Sequence, residues 1–232
     1  MREIVMDTET TGLDPSEGHR IVEIGAVELY NHAPTGQVFH RYINPGRPMP
    51  PEAQEIHGLT DAFLRDKPPF AAIAEEFLAF IDSADRLVIH NAAFDTKFLN
   101  FELSALGHPP IAEARIVDTL ALARRRFPGA PASLDALCRR FGIDNSARTK
   151  HGALLDSEIL AEVYLELIGG RQPVFALESA RDEAAGPAAA DATWRPGPRP
   201  REIPPRLTPA EEEAHRKLIA ALGEKALWSG SG

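Results

Sequence analysis

The most constraining feature of the chain is residues 4–13, IVMDTETTGL, in which two carboxylates follow a short apolar run. Side chains at positions i and i+2 of a strand share one face, so Asp7 and Glu9 point the same way. Two adjacent carboxylates on one face repel each other unless a proton or a cation lies between them. The segment therefore indicates either an exposed acidic strand end or one wall of a cation site.

The length and composition of the chain suit a globular domain with an extension. The 232 residues, 44% of them hydrophobic, are enough for one sizeable core. We find no apolar run long enough to cross a bilayer and no secretory leader. The one cysteine, Cys138, excludes an internal disulfide and a cysteine-only zinc site, and the helical spacing around it predicts a buried thiol. These features predict a cytoplasmic protein.

The net charge restricts how the chain can meet nucleic acid. Its formal value of -9 is unfavourable for a protein that binds nucleic acid through the charges of the phosphates, since such proteins are usually basic. An acidic protein can still act on nucleic acid where metal ions neutralise the phosphates. It then binds weakly alone and needs a partner to deliver the substrate.

The apolar pattern predicts a three-strand meander followed by alternating helices and strands. Strands are expected at residues 2–7, 21–30, 37–43, 87–89 and 115–117, and helices at residues 70–82, 94–106, 119–126, 133–141 and 153–168. This order implies an α/β fold, a mixed five-stranded sheet flanked by helices.

The composition changes towards the C-terminus. Residues 178–206 contain six prolines among Ala, Gly, Arg and Glu, which cannot build a core and predict a disordered tether. A C-terminal helix is expected after it, because Thr208 suits an N-cap, Pro209 the first helical position and Glu211 a capping box. One apolar stripe of this helix consists of Ala214, Leu218 and Leu222.

Two further motifs with carboxylates follow downstream, HNAAFD at residues 90–95 and KHGALLD at residues 150–156. Alone, each is ordinary, because an Asp in a first helical turn is favoured by the helix dipole and a surface histidine is usually solvated. On a continuous helix His151 and Asp156 would point apart, since five residues advance one turn and about 140° further. If Gly152 ends a loop, however, His151 can fold over a site into which Asp156 projects.

Together, the three blocks resemble the DEDD superfamily of 3′–5′ exonucleases, in its histidine-bearing branch. The matching segments are residues 7–13, 90–95 and 151–156, and their order and spacing fit the superfamily. The resemblance covers residues 1 to about 170 and implies a ribonuclease H-like fold.

The resemblance implies two divalent cations, Mg²⁺ or Mn²⁺, as cofactors. Phosphodiester cleavage needs a nucleophilic water, neutralised phosphate charge and a stabilised leaving oxygen, and two cations about 3.5–4 Å apart supply all three. Oxygen ligands favour these metals over zinc or copper. By resemblance, Asp7 bridges both ions, Glu9 and Asp156 complete the nucleophile-side site, and Asp95 holds the second ion. His151 is then the general base, since histidine titrates near neutral pH.

The resemblance also implies contacts with the terminal nucleotide, from Thr10, Leu13, His57, Asn91 and Phe94. Leu13 would wedge against the last base; its alternative role is that of a core residue at a loop end. His57 belongs to the segment IHGLT, residues 56–60, which in the superfamily approaches the substrate strand. Phe98, one helical turn after Phe94, is predicted to lie in the core.

The segment GGRQPVFAL at residues 169–177, the proline-rich tether and the single amphipathic helix after it resemble the tail of one family within the superfamily, the proofreading subunits of bacterial replicative DNA polymerases. In that family the segment after the last catalytic helix contacts the sliding clamp, and the C-terminal helix binds the polymerase subunit. The expected clamp-binding residues are Gln172, Val174, Phe175 and Leu177, and the expected polymerase-binding residues are Leu207, Leu218 and Leu222. Alternatively, the first set covers the domain's own core and the helix docks back on its own domain.

These assignments divide the chain into three parts. Residues 1–177 form an exonuclease domain with a clamp-binding segment at 171–177, residues 178–206 a flexible linker, and residues 207–232 a polymerase-binding helix. We expect metal-dependent removal of 3′-terminal nucleotides from single-stranded or frayed DNA, with release of nucleoside 5′-monophosphates.

Three alternatives remain open from the sequence. A related exoribonuclease acting on RNA 3′ ends uses the same catalytic set. A haloacid-dehalogenase-type phosphatase also begins with an acidic strand, but it requires a second Asp where Glu9 stands and leaves His151 idle. A silent interaction subunit would not need the intact acidic set.

Overall fold

A mixed five-stranded sheet organises the first unit of the computed structural model, which describes residues 1–146, 148, 150–169 and 208–222 of the chain. The strands are β1 (Arg2–Thr10), β2 (Ile21–Tyr30), β3 (Ala33–Tyr42), β4 (Arg86–Ile89) and β5 (Ile116–Asp118), in the order β3-β2-β1-β4-β5. The strands β1, β2 and β3 pair antiparallel, whereas β4 and β5 run parallel to β1. The predicted α/β fold with a mixed five-stranded sheet is confirmed.

Helices cover both faces of this sheet. They are α1 (Pro51–His57), α2 (Asp61–Leu64), α3 (Phe70–Ile81), α4 (Ala92–Ala105), α5 (Thr119–Arg126), α6 (Leu134–Phe141) and α7 (Ala153–Leu167), with short 3₁₀ turns at Pro15–Glu17 and Glu113–Arg115. None of the helices in the described part of the chain is both long and apolar enough to cross a membrane.

The alternation of side chains along β1 decides which residues face which helices. Ile4 and Met6 are buried in a cluster with α3 and α4, whereas Val5 is buried on the other face with α5, α6 and α7. Because odd-numbered positions share the face of Val5, Asp7 and Glu9 point towards α7. The buried thiol predicted for Cys138 is confirmed in the same cluster.

Several parts of this unit differ from the predictions. The first strand runs to Thr10 rather than to residue 7, and α4 begins at Ala92 rather than at residue 94. The third strand begins at Ala33 rather than at residue 37, because Asn31 and His32 both adopt positive φ and close a two-residue hairpin. The pattern also failed to predict α1 and α2, whose few buried side chains give little helical periodicity. Both helices cover a small cluster that includes Val22 and Met49.

The start of α7 lies directly on β2 at Gly25. A Cβ at this position would meet the backbone of Ala153 and Leu154 at 2.2 Å, so no larger residue fits. The Ser157 hydroxyl donates a hydrogen bond to the Gly25 carbonyl at 2.9 Å. Because Gly25 pairs with Asp7 across the two strands, this contact brings the start of α7 beside the carboxylates of β1.

The second unit, residues 177–232, is described only over residues 208–222 and contains α8 (Pro209–Leu222). Its predicted capping box is confirmed: the Thr208 amide donates to Glu211 Oε2 at 2.8 Å, and the Glu211 amide donates to Thr208 Oγ1 at 3.4 Å. The tether at residues 178–206, the clamp segment at 171–177 and Leu207 lie outside the described residues.

Candidate active site

A cleft of about 310 Å³ opens at the edge of the sheet where the parallel strands β1, β4 and β5 end. The five residues expected to carry the chemistry all line it, namely Asp7, Glu9, Asp95, His151 and Asp156. They come from the end of β1, the first turn of α4 and the start of α7. Residues nearly 150 positions apart in sequence therefore converge on one volume.

The carboxylates of β1 lie in a crowded acidic environment. Glu9 is almost fully buried and pairs across the strands with Glu23, which is also buried. Burial first, and then repulsion from Glu23 and Asp156, raises the pKa of Glu9 to about 8. The pKa of Asp7 is likewise raised well above its ordinary value, by burial and by the nearby charge of Asp95.

The carboxylate of Asp95 is held in place from the other face of β1. The Thr8 amide and hydroxyl both donate to Asp95 Oδ1, at 3.0 and 2.6 Å. These bonds favour the ionised carboxylate, but burial outweighs them and raises the pKa of Asp95 to about 7. Asn91, in the left-handed conformation, turns the chain from β4 into α4 and so brings Asp95 to the cleft.

His151 and Asp156 have the arrangement that the sequence allowed, with the histidine in a loop and the aspartate on the helix that follows it. Gly152 is the N-cap of α7, so His151 precedes the helix while Asp156 projects from its first turn. His151 Nδ1 lies 3.3 Å from Asp156 Oδ2. Its backbone amide also donates to the Ile56 carbonyl at 3.2 Å, which fastens the loop to α1.

The sequence analysis missed Arg148, whose guanidinium lies inside this acidic cleft. Its Nε and Nη2 donate to the two oxygens of Asp156 at 2.5 and 2.7 Å, and its Nη1 donates to Asp135 Oδ1 at 2.8 Å. A further contact of 2.8 Å joins Nη2 to His151 Nδ1. The available signal was a basic residue three positions before the HGALLD motif, which by itself is ordinary because most arginines lie on the surface.

The residues expected to meet the nucleotide are divided between two cavities. Thr10, Leu13, His57 and Phe94 line a second cavity of about 440 Å³, and Phe94 also borders the catalytic cleft. Asn91 lines the cleft only. The side chain of Leu13 is 81% exposed, which rules out its alternative role as a core residue.

Two aromatic rings in this region are buried. Phe98 is fully buried, as predicted. The imidazole of His57 is almost fully buried, and its Nδ1 accepts a hydrogen bond from the Leu59 amide at 3.0 Å. Its Nε2 therefore carries the proton of the neutral ring. Burial lowers the pKa of His57.

The cleft fits divalent cations by its donor chemistry. Glu9, His151 and Asp156 each offer one ligand atom, and these three atoms all lie within 4.8 Å of one another. Carboxylate oxygens are the ligands that Mg²⁺ and Mn²⁺ prefer. The raised pKa values of Asp7, Glu9 and Asp95 show how strongly this acidic site requires added positive charge or protons.

Comparison with known proteins identifies close relatives. A family model described as Exonuclease matches residues 4–164. The DNA polymerase III subunit epsilon of Rickettsia conorii is 59% identical over 178 residues, which cover 75% of this chain and 77% of that protein. The DNA polymerase III subunit epsilon of Escherichia coli is 46% identical over 238 aligned residues, covering 98% of this chain and 97% of that protein.

Solved structures share the fold. Exonuclease X in complex with 5′-overhanging duplex DNA has a TM-score of 0.54 at 28% identity, over 72% of this chain and 90% of that one. The nuclease domain of 3′hExo, a DEDDh family member bound to rAMP, has a TM-score of 0.62 at 19% identity, over 72% and 91% of the two chains. At the latter identity the likeness concerns the fold alone.

The raised pKa values predict how the stability of the metal-free protein depends on pH. Glu9 and Asp95 hold protons up to about pH 8 and 7 when folded, against ordinary values of 4.5 and 3.8. At pH values between the ordinary and the raised pKa of each group, the folded protein binds more protons than the unfolded one. The free energy of unfolding therefore falls as pH rises. Calorimetry in chelator, from about pH 5 to about pH 8.5, is expected to show a falling melting temperature.

Substitution identifies the groups responsible for that fall. Glu9→Gln is expected to reduce the slope, whereas Glu113→Gln, an exposed carboxylate in the 3₁₀ turn before β5, is expected to keep it. Saturating Mg²⁺ is expected to flatten the profile because it favours the ionised carboxylates. A metal-free protein whose melting temperature does not change over this range would contradict the raised pKa values.

Proposed function

The chain belongs to the exonuclease family, among the DNA polymerase III epsilon subunits, and we propose that it proofreads replication with two divalent cations in its cleft. It is a 3′–5′ exonuclease that acts on DNA. The observation that carries the mechanism is the convergence of four carboxylates and one histidine at a single strand edge. The exoribonuclease and phosphatase alternatives are not retained, because the relatives named above are DNA polymerase III subunits. The silent-subunit alternative is not retained, because the exonuclease model matches residues 4–164 and the full acidic set lines one cleft.

The four carboxylates divide between the two cation positions in this proposal. Asp7 would serve both cations, Glu9 and Asp156 would hold the one on the side of the attacking water, and Asp95 would hold the one on the side of the leaving oxygen. When bound, Mg²⁺ or Mn²⁺ neutralises the phosphate, activates the water and stabilises the leaving oxygen. Asp95 is supported in this role by Thr8, which fixes one carboxylate oxygen from behind.

His151 is the general base in this proposal. It stands in a loop over the carboxylates, is half-exposed, and is the histidine nearest to Asp156 in the cleft. From that position it can accept a proton from a water held between Glu9 and Asp156. A nucleoside 5′-monophosphate is then released, because the bond broken is the one to the 3′ oxygen of the neighbouring nucleotide.

The second cavity provides the specificity for a strand end. Its volume of about 440 Å³ accommodates one nucleotide beside the cleft, and the exposed Leu13 at its rim can separate the last base from its neighbour. His57 lines this cavity, and its Nε2 donor can bind a polar group of that nucleotide. Such a site requires an unpaired terminus, so frayed or single-stranded DNA is preferred.

Two partners other than DNA belong to the proposal. The catalytic subunit of DNA polymerase III would bind α8 and its flanking residues 207–232, since an isolated helix of this length is marginal in water and needs a surface to pack on. The stripe residues Leu218 and Leu222 are exposed on α8. The sliding clamp would bind residues 171–177 by way of Gln172 and Phe175. As a replication subunit the protein would work in the cytoplasm.

Nuclease activity is tested with a 3′-labelled DNA strand, with an RNA strand of the same sequence beside it. Mononucleotide release is expected with Mg²⁺ and not with chelator, and faster from DNA than from RNA. Asp7→Ala is expected to lower the rate by roughly 10²-fold or more, because it removes the shared ligand. Glu113→Gln is expected to retain the full rate. Wild-type activity in a folded Asp7→Ala protein would refute the assignment.

The role of His151 is tested by His151→Gln in the same assay. The rate constant is expected to fall by about 10²–10⁴-fold, the usual contribution of a general base, while DNA binding changes little. The dependence of the rate on pH is expected to change as well. An unchanged rate and an unchanged pH profile would assign His151 to a structural role.

The tail is tested by deletion of residues 207–232. We expect loss of co-purification with the polymerase subunit and full exonuclease activity on free DNA, because the cleft lies within residues 1–169. The double variant Leu218→Ser and Leu222→Ser is expected to weaken association, and Glu212→Gln, an exposed polar position of α8, to leave it intact. Continued co-purification of the truncated chain would show that the anchor lies elsewhere.

A further inference from the structure

Arg148 binds the same carboxylate that the proposed cation site needs. Both oxygens of Asp156 accept hydrogen bonds from its guanidinium, at 2.5 and 2.7 Å. Only 9% of the Arg148 side chain and 4% of the Asp156 side chain are exposed. A bidentate, charge-assisted pair of this kind is among the strongest that side chains form. As long as it persists, each oxygen uses one of its lone pairs on the guanidinium, and a metal ion bound to Asp156 would lie next to that positive charge.

The same guanidinium also engages the proposed general base. Its Nη2 lies 2.8 Å from His151 Nδ1, and an arginine can only donate, so this imidazole nitrogen is the acceptor. The lone pair of Nδ1 is thereby used, and the remaining proton of a neutral ring lies on Nε2. Arg148 therefore holds one cation ligand and the general base in a single inactive arrangement.

A third partner lies outside the set of cation ligands. Arg148 Nη1 donates to Asp135 Oδ1 at 2.8 Å, and Asp135 is a partly exposed residue in the first turn of α6. The side-chain amide of Asn145 donates to the same oxygen at 2.9 Å, which keeps this carboxylate oriented. Asp135 can therefore retain the guanidinium after its bonds to Asp156 are broken.

We propose that Arg148 is a positioning residue that exchanges with a divalent cation: it binds Asp156 and His151 before the cation enters, and is retained by Asp135 afterwards. This inference rests on the cation site of the proposed function. Before exchange, the positive charge offsets repulsion among the buried carboxylates and keeps them together. After exchange, the two oxygens of Asp156 and the nitrogen of His151 become available at the same time. Binding of the metal and release of His151 from Arg148 thus occur together.

The competing interpretation is a permanent salt bridge that remains on Asp156 whether or not a cation is bound. The two differ in one measurable respect, which is whether the contribution of Arg148 to stability depends on metal. A permanent bridge contributes equally with and without metal. An exchanging one contributes most to the metal-free protein and little to the loaded one.

The experiment measures unfolding and Mn²⁺ binding in the full chain. Arg148→Gln is expected to lower the melting temperature in chelator and to lower it less than half as much in saturating Mn²⁺. Calorimetric titration is expected to give Mn²⁺ binding that is roughly tenfold tighter than in wild type, because the competing cation is gone. Arg148→Lys, which keeps the charge without the bidentate geometry, is expected to fall between the two.

Two controls separate exchange from a general effect of charge. Arg41→Gln removes a comparable two-contact pair with Glu76 on the exposed surface, and its effect is expected to be equal with and without Mn²⁺. Asp135→Asn is expected to weaken Mn²⁺ binding in wild type but not in the Arg148→Gln background, since there is no longer a guanidinium to retain. Independent effects of charge would instead add in the double variant.

Two results would overturn the exchange. Equal losses of melting temperature for Arg148→Gln in chelator and in Mn²⁺, with unchanged or weaker Mn²⁺ binding, would establish a permanent salt bridge and leave the proposed function intact. Absence of Mn²⁺ binding by the wild-type protein would instead refute the cation site itself, and the exchange with it.

Discussion

Repulsion among the carboxylates at one edge of the sheet is the constraint that the rest of this structure accommodates. Asp7, Glu9 and Asp95 all have raised pKa values, first because burial disfavours their charged forms and second because neighbouring carboxylates repel them. A fold tolerates such a cluster only if each member is held by a rigid element. Here a central strand, the first turn of α4 and the first turn of α7 supply that rigidity, so the stability of the core is used to hold together groups that would otherwise separate.

The contact between α7 and β2 shows how sequence fixes that geometry. Gly25 has no role in the chemistry, yet a methyl group there would meet the backbone at the start of α7 at 2.2 Å. The helix can therefore approach the sheet closely enough for Asp156 to share a cleft with Asp7. Thr8 acts comparably from the other face, since its two hydrogen bonds fix Asp95 while the neighbouring carboxylates point away. Small uncharged residues thus determine where the charged ones meet.

Much of the fold and of the site followed from local patterns. Alternation along β1 predicted that Asp7 and Glu9 share one face. Gly152 predicted that His151 lies in the loop before α7 rather than in the helix. Both predictions depend only on residues close in sequence. Arg148 and Glu23 were not predicted, since their importance arises from partners on other elements. The short helix α1 was missed because its buried residues are Ala53 and His57, which give little apolar signal. Contacts between distant segments decided these features, and no local pattern encodes them.

The acidic character of the chain connects the site with the way it is used. A net charge of -9 opposes unaided binding to DNA, so in the proposed function cations would supply local attraction at the cleft and a partner would deliver the substrate. Tethering to a polymerase raises the effective concentration at a primer end without strong affinity for DNA. In the proposed function, weak intrinsic binding would be an advantage, because a correctly paired terminus would seldom be engaged and only a frayed strand would enter the second cavity. An exchanging Arg148 would add to this restraint, since His151 would become available as a base only with the metal in place.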